Sequence, residues 1–156
     1  MPFDANLVLI DGTVDITAAT AASYVAATST TRETTNTGAV VVDLKETGFK
    51  GLAAVLVIPV LVSSTDYLTA IIQVSDEEDF GNATYHLHEV AKFDIHAETT
   101  GVILASECTA GAIVVKRFVT DKRYVRAKLI PVKGTGVAGN FGKVQVLISP
   151  YPFNLL

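Results

Sequence analysis

Residues 111–149 restrict the possible folds more than any other part of the chain, because they hold three strand-forming runs and no helical periodicity. The runs span 112–120, 123–133 and 141–149, and turns rich in Asp, Lys and Gly separate them. β-branched and aromatic residues bounded by turn residues are typical of antiparallel strands. We therefore predict that these residues form a three-stranded antiparallel meander.

Alternation within the second run predicts which side chains face the core. Successive side chains of a strand point to opposite faces of the sheet. One face then carries Val125, Ala127, Leu129 and Pro131, and the other carries Tyr124, Arg126, Lys128 and Ile130. The apolar face is predicted to be core. The bases of the meander form either a solvated face or a surface for an acidic or polar protein, and the candidate interface residues are Arg117, Arg123, Arg126 and Lys128.

Two earlier segments extend the strand pattern. Residues 52–62 are so rich in Val, Leu and Ile that both faces of this strand are expected to be buried, with Pro59 at an edge or bend. Tyr67–Ser75 alternates cleanly and ends in an acidic turn at 76–79. Its predicted inward side chains are Leu68, Ala70, Ile72 and Val74.

Residues 85–93 indicate a further strand, in which Glu89 interrupts the apolar side and predicts an edge position or a bulge. The whole chain gives about eight strands and no helix. Short strands separated by turns, without helical crossovers, favour two packed antiparallel sheets. The predicted fold is an all-β, jelly-roll-like β-sandwich in a single domain with an extended N-terminal arm.

The two ends of the chain differ from its middle in composition. Ala, Ser and Thr make up 17 of the 25 residues from 13 to 37, which predicts an extended arm, and Asp11-Gly12 before it predicts a hairpin or turn. We assign 1–37 to this hairpin and arm, 38–149 to the β domain and 150–156 to an apolar tail. The tail adds the candidate interface residues Tyr151, Phe153, Leu155 and Leu156.

Composition argues against several classes of protein. A single cysteine, Cys108, excludes an intrachain disulfide and fits a reducing compartment. The 15 uncharged residues between Lys50 and Asp66 fall short of the roughly 20 that a membrane helix requires. Aromatic residues are not interleaved with the bases in the way that stacks nucleic-acid bases. We therefore expect a soluble chain with no membrane or direct nucleic-acid partner.

The pair His86 and His88 raises the question of a metal site. A spacing of two puts both rings on one face of a strand, as in cupin-type jelly rolls, where a third His and a carboxylate complete the site. Here Glu89 falls on the opposite face, and His96 would lie about 26 Å from His88 along a continuous strand. Surface histidines are therefore expected, with no metal and no other cofactor.

Catalytic motifs are also missing from the sequence. Residues 134–139 match the string G-x-G-x-x-G, but a strand follows instead of the helix that binds a pyrophosphate. Neither a nucleophile elbow nor a carboxylate pair in the context of a cleft is evident. We expect no enzymatic activity.

The segment 123–139 resembles a known protein family. Arg123, Tyr124 and Arg126 form an R-Y-x-R strand, and the pairs Gly134-Thr135 and Ala138-Gly139 precede an apolar closing strand. This arrangement is similar to the C-terminal signature of capsid cement (decoration) proteins of tailed bacteriophages. The apolar strand and acidic turn at 68–80 fit the same pattern, so that the resemblance covers residues 38–149.

The resemblance implies a jelly-roll-like domain, made in the host cytoplasm, that forms homodimers or homotrimers on the outer capsid surface of the virion. Its partner would be the major capsid protein, whose capsomers it would hold together against the pressure of the packaged DNA. The family has no catalytic residues to carry over.

Two alternatives stay open. One is a carbohydrate-binding β-sandwich module, which normally displays exposed aromatic residues, although this chain has no Trp. The other is a cupin-like metal-binding jelly roll.

Overall fold

Two antiparallel sheets make up the part of the chain that the computed structural model describes, namely residues 7–17, 24–25, 38–45, 48, 50–59, 66–81, 87–96, 112–133 and 139–150. These residues contain nine strands and no α-helix. The strands are β1 (Val8–Asp11), β2 (Tyr24–Val25), β3 (Val42–Asp43), β4 (Lys50–Ile58), β5 (Tyr67–Ser75), β6 (His88–His96), β7 (Ala112–Thr120), β8 (Tyr124–Val132) and β9 (Gln145–Pro150). The predicted all-β sandwich is confirmed.

The strand order in the two sheets is that of a jelly roll. Sheet I has the order β1-β9-β4-β7, and sheet II has the order β2-β8-β5-β6, with β3 also paired to β8. If β2 and β3 count as two pieces of one strand, sheet I collects the first, eighth, third and sixth strands. Sheet II collects the second, seventh, fourth and fifth. Jelly rolls consist of two such sheets linked by Greek-key connections.

The predicted three-stranded meander is wrong. Strands β7 and β9 lie on either side of β4 in sheet I, whereas β8 lies in sheet II. All nine residues of β7 pair with β4, and all nine of β8 pair with β5. The short turn after β7 therefore carries the chain from sheet I to sheet II. The sequence had predicted that this turn closes a hairpin within one sheet. Alternation fixes the face on which a side chain lies but does not choose the partner strand.

The core lies between the sheets and confirms the predicted faces of the central strands. In β5, Leu68, Ala70, Ile72 and Val74 are each at most 1% exposed, and in β8, Val125, Ala127 and Leu129 are equally buried. The expected burial of both faces holds for most of β4, since its outward Ala53 and Val55 are buried as well as its core residues, whereas the outward Val57 is half-buried. The rest of that predicted strand, residues 60–62, lies outside the described residues.

Strand β6 confirms the irregularity that Glu89 predicted. It is an edge strand of sheet II, and its register against β5 shifts so that Ile72 pairs with Ala91 but Gln73 pairs with Glu89. This shift is a bulge that adds one residue to β6. Side chains before the bulge therefore point to the faces opposite to those that unbroken alternation predicts. His88 therefore pairs with Val74 and lies on the core side of the sheet, at its exposed margin. Unbroken alternation had predicted the opposite face for His88.

Residues 7–17 are part of the sandwich. Strand β1 pairs with β9, and Leu9, Ile10 and Ile16 are buried in the common core. This segment contributes to the packing of sheet I. The arm residues 18–23 and 26–37, the boundary after residue 37 and the tail 151–156 lie outside the described residues, and the division predicted there stays a prediction.

The predicted turn at Asp11-Gly12 is present. Oδ1 of Asp11 accepts hydrogen bonds from the Thr13 backbone N–H at 3.0 Å and from the Thr13 hydroxyl at 2.8 Å. The described residues after the turn do not return along β1, since Thr17 instead forms a bridge with Asn140. The alternative of a local hairpin is therefore wrong. No helix among the described residues is long and apolar enough to cross a membrane.

Candidate interaction surfaces

The four basic candidates do not share one surface. Arg117 lies on β7 in sheet I, where it pairs with Ala53, whereas Arg126 and Lys128 lie on β8 in sheet II and Arg123 directly precedes that strand. The outer faces of the two sheets point in opposite directions. The single charged face that followed from the meander is therefore wrong. The other four candidates, Tyr151, Phe153, Leu155 and Leu156, lie outside the described residues.

Arg123 ties β3 to the start of β8. Its Nε donates to Oδ1 of Asp43 at 2.9 Å, and its Nη2 donates to Oδ2 at 2.8 Å. The guanidinium carbon lies 5.0 Å from the centre of the Tyr124 ring. The Leu44 backbone N–H donates to the Arg123 carbonyl at 2.8 Å. A bidentate pair of this kind fixes geometry as well as charge, so Arg123 serves first as an internal tether.

This tether predicts a pH-dependent contribution to stability. The hydrogen bond from Arg123 holds the pKa of Asp43 below its usual value of 3.8. A carboxyl group with a lowered folded-state pKa stabilises the fold above its unfolded pKa, and this contribution is lost as the pH falls through the folded value. We expect Asp43→Asn to lower the thermal midpoint at neutral pH, and the difference from the wild type to vanish in strong acid.

Thermal unfolding of both proteins across a pH series measures this difference. Asp15→Asn serves as the control, since Asp15 is an exposed carboxyl on another segment, and its midpoint is expected to follow the wild type throughout. A difference between wild type and Asp43→Asn that stays constant from neutral pH into strong acid would show that the ion pair does not cause it.

Arg126 is half-buried and belongs to a polar row that crosses sheet II. Its Nε donates to Oε1 of Gln73 at 2.9 Å, and Nε2 of Gln73 donates to Oε1 of Glu89 at 3.4 Å. The guanidinium carbon also lies 4.1 Å from the centre of the Phe80 ring. Burial lowers the pKa of Arg126 below its usual value. The row joins three strands and fixes the position of the guanidinium on the outer face.

Lys128 lies in the next row of the same face. It pairs with Ile71, and Ile71 pairs in turn with Lys92 on β6. Two lysines thus flank an isoleucine that is only 6% exposed. In the row beyond, the Thr69 hydroxyl donates to Oδ1 of Asp94 at 2.9 Å. The outer face of sheet II therefore presents positive and negative side chains around a buried middle strand, an arrangement suited to contact with a polar protein surface.

The acidic turn at 76–79 is exposed and is attached to the turn between β7 and β8. Nζ of Lys122 lies 2.8 Å from Oδ2 of Asp76, and this hydrogen bond raises the pKa of Lys122. Phe80 closes the turn and is 5% exposed, which anchors it beneath Arg126. The turn is thus held in place by contacts within the chain.

An aliphatic ridge on β7 was missed at the level of sequence. We define the β7 ridge as Ile113, Val115 and Val119, which are 70%, 55% and 50% exposed and are the exposed large apolar residues among those described. All three have the same parity and lie on the outer face of sheet I. The sequence of β7 has large apolar residues at both parities, so alternation did not identify these three side chains as the exposed ones. Its edge position could not be recognised without the strand order.

Among the described residues there is no group of three or more His, Cys, Asp or Glu side chains that could hold a metal ion. His88 is exposed, and His86 and Cys108 lie outside the described residues.

Comparison of the chain with models of protein families, with curated proteins and with solved structures gives no match.

Proposed function

We propose that this chain is a capsid cement protein of a tailed bacteriophage. It would be made in the host cytoplasm and would bind to the outer surface of the assembled head, where it holds neighbouring capsomers of the major capsid protein together. The resemblance of segment 123–139 motivates this proposal. The structural observation that supports it is that most of this segment is β8, whose outward Arg126 and Lys128 contribute to the charged outer face of sheet II.

The physical role that follows is a mechanical one. A helix-free sandwich with fixed charged rows offers a preformed surface, so that little ordering is required on binding. Many copies on one lattice can hold strongly even when each contact is modest, because linked attachments multiply. Complementary charges would select the binding site on the head. This role needs neither a cofactor nor a catalytic group, and self-association into dimers or trimers would let one unit span two capsomers.

Lys128→Glu is the direct test of the proposed contact face. The substitution places a negative charge beside Ile71 in the middle of the face, and we expect the affinity for heads to fall about 10-fold or more, since a like-charge contact costs at least about 1.4 kcal/mol. Expanded heads prepared without this protein are mixed with it and sedimented, and the bound fraction is measured across protein concentrations.

Lys143→Glu is the matched control, because Lys143 is an exposed lysine that precedes β9 in the other sheet. It is expected to bind as the wild type does. A wild-type chain that does not sediment with heads contradicts the proposed function. A Lys128→Glu chain that binds as well as the control removes this face from the contact.

A further inference from the structure

Strands β6 and β7 lie next to each other along one open side of the sandwich. Strand β7 ends sheet I and β6 ends sheet II, and each pairs with a single neighbour among the described strands. A strand at the end of a sheet has a row of backbone N–H and C=O groups that can pair with a strand of another chain. Both end strands are nine residues long. This side of the sandwich therefore offers two long templates for strand pairing.

The composition of β7 makes such pairing more favourable. The three side chains of the β7 ridge are β-branched, and each is at least half exposed. A long end strand with exposed apolar side chains is expected to be a site of aggregation. Two consecutive bases, Lys116 and Arg117, interrupt the apolar residues. Successive side chains point to opposite faces, so each face of β7 carries one base.

Lys116 lies on the core side of sheet I but remains exposed. It pairs with the fully buried Ala54, and its side chain crosses the open side to sheet II. There Nζ donates to the Lys92 carbonyl on β6 and lies 5.5 Å from the centre of the Phe93 ring. An inward-pointing charge on an end strand is a known protection against pairing between sheets. A strand added to β7 would bring its own side chains against this ammonium group.

The position of Lys116 along β7 strengthens this protection. It is the middle residue of the strand Ala112–Thr120. If the β7 strands of two copies paired antiparallel over their full length, two-fold symmetry would place Lys116 opposite its own counterpart. A shift of one residue would place it opposite Arg117. Like charges directly opposite each other destabilise paired strands. The registers with the greatest overlap are therefore disfavoured.

We propose that Lys116 protects the open side of the sandwich against strand pairing between copies of this chain. Its charge disfavours the addition of a strand to β7, and its hydrogen bond to the Lys92 carbonyl occupies an acceptor on β6. The chain can then reach high local concentrations without extending its sheets into aggregates. This inference goes beyond the proposed function and does not depend on it, because it concerns the free protein without heads.

The experiment compares wild type with Lys116→Val, which removes the charge and adds a strand-forming residue. Each purified protein is incubated over a range of concentrations, and large assemblies are measured by sedimentation velocity and thioflavin T fluorescence. The amount of assembled Lys116→Val is expected to exceed that of wild type at least about 10-fold, because pairing no longer covers a charge. Lys128→Val is the matched control, because β8 is already paired on both sides, with β2 and β5. It is expected to assemble no more than wild type.

Lys116→Glu separates the charge from the hydrogen bond. It loses the contact with the Lys92 carbonyl but keeps like charges opposite each other in paired β7 strands, so it is expected to stay as soluble as wild type. Circular dichroism and the thermal midpoint establish that each variant is folded. Lys116→Gln, which keeps a donor but removes the charge, replaces Lys116→Val if the latter does not fold.

Assembly of the uncharged variant, with wild type, Lys116→Glu and Lys128→Val remaining soluble, supports the inference. A folded uncharged variant that assembles no more than wild type overturns it. So does a Lys116→Glu chain that assembles as much as Lys116→Val, because the lost hydrogen bond would then be the cause. Equal assembly of Lys128→Val would assign the effect to added apolar surface and would also overturn the inference.

Discussion

Ile72→Ala is expected to lower the free energy of unfolding by about 4 kcal/mol and the thermal midpoint by roughly 10 °C. Ile72 is fully buried in the central strand β5. Its neighbours across the sheet on the core side are Ala91 of β6 and Ala127 of β8. It is therefore the only large side chain among these three paired residues, and truncation would leave three alanines in line. Strands held by their hydrogen bonds cannot close such a cavity, so the cost lies in the upper part of the range for this substitution.

The measurement is denaturant unfolding at a fixed protein concentration, since an oligomer gains stability with concentration. Ile130→Ala is the matched control in the same sheet, because Ile130 is half-buried on the outer face. Ile130→Ala is expected to lower the free energy of unfolding by less than about half as much as Ile72→Ala, because loss of the Ile130 side chain leaves a smaller cavity. Equal costs for the two variants would mean that the outer face of sheet II is packed as tightly as the core.

Gly38→Ala is the second large effect and is expected to cost about 3 kcal/mol. Gly38 has φ +57°, in the left-handed region, and it is buried beside the turn after β1. A Cβ at this position would overlap Oδ1 of Asp11 and would lie 2.6 Å from Oγ1 of Thr13. The Asp11 side chain could move away only by losing its hydrogen bonds to Thr13. The backbone penalty and the steric penalty therefore add.

Two further variants separate these penalties. Gly48 has φ +123°, and a Cβ there would meet nothing within 4 Å, so Gly48→Ala reports a backbone cost without a clash, roughly 1 to 3 kcal/mol. In an Asp11→Ala background, Gly38→Ala is expected to lower the free energy of unfolding by about 1 to 2 kcal/mol less than in the wild type. The reason is that the two positions are in contact, so the effects of their substitutions are coupled. Additive costs for Asp11→Ala and Gly38→Ala would exclude the overlap as the cause.

The sequence determined the class of structure and the face of many side chains. Period-two alternation in β5 and β8 correctly predicted their core residues. The charge of Glu89 inside an apolar strand predicted an edge position or a bulge, and β6 has both. These features are local, since they depend on the preference of a strand for burying one face. Burial of both faces of β4 could be read from its composition for the same reason.

The candidate site was predicted less well, because its residues depend on neighbours distant in the chain. Arg123 was expected on a contact surface, but its carboxylate partner Asp43 lies 80 positions away in sequence. The β7 ridge was missed because β7 has large apolar residues at both parities, so alternation does not show which of them are exposed. Only the position of β7 at the end of sheet I leaves its outer side chains exposed.

The sequence alone therefore determined that this chain forms strands without helices and which sides of the central strands are apolar. The tertiary structure decided which strands pair: β8 joins β5 in the second sheet, and β7 and β9 both join β4 in the first. The physical reason is that a longer loop adds little to the cost of closing it. Distant strands can then pair at little extra cost, and the burial of both sheets in one core selects among the pairings.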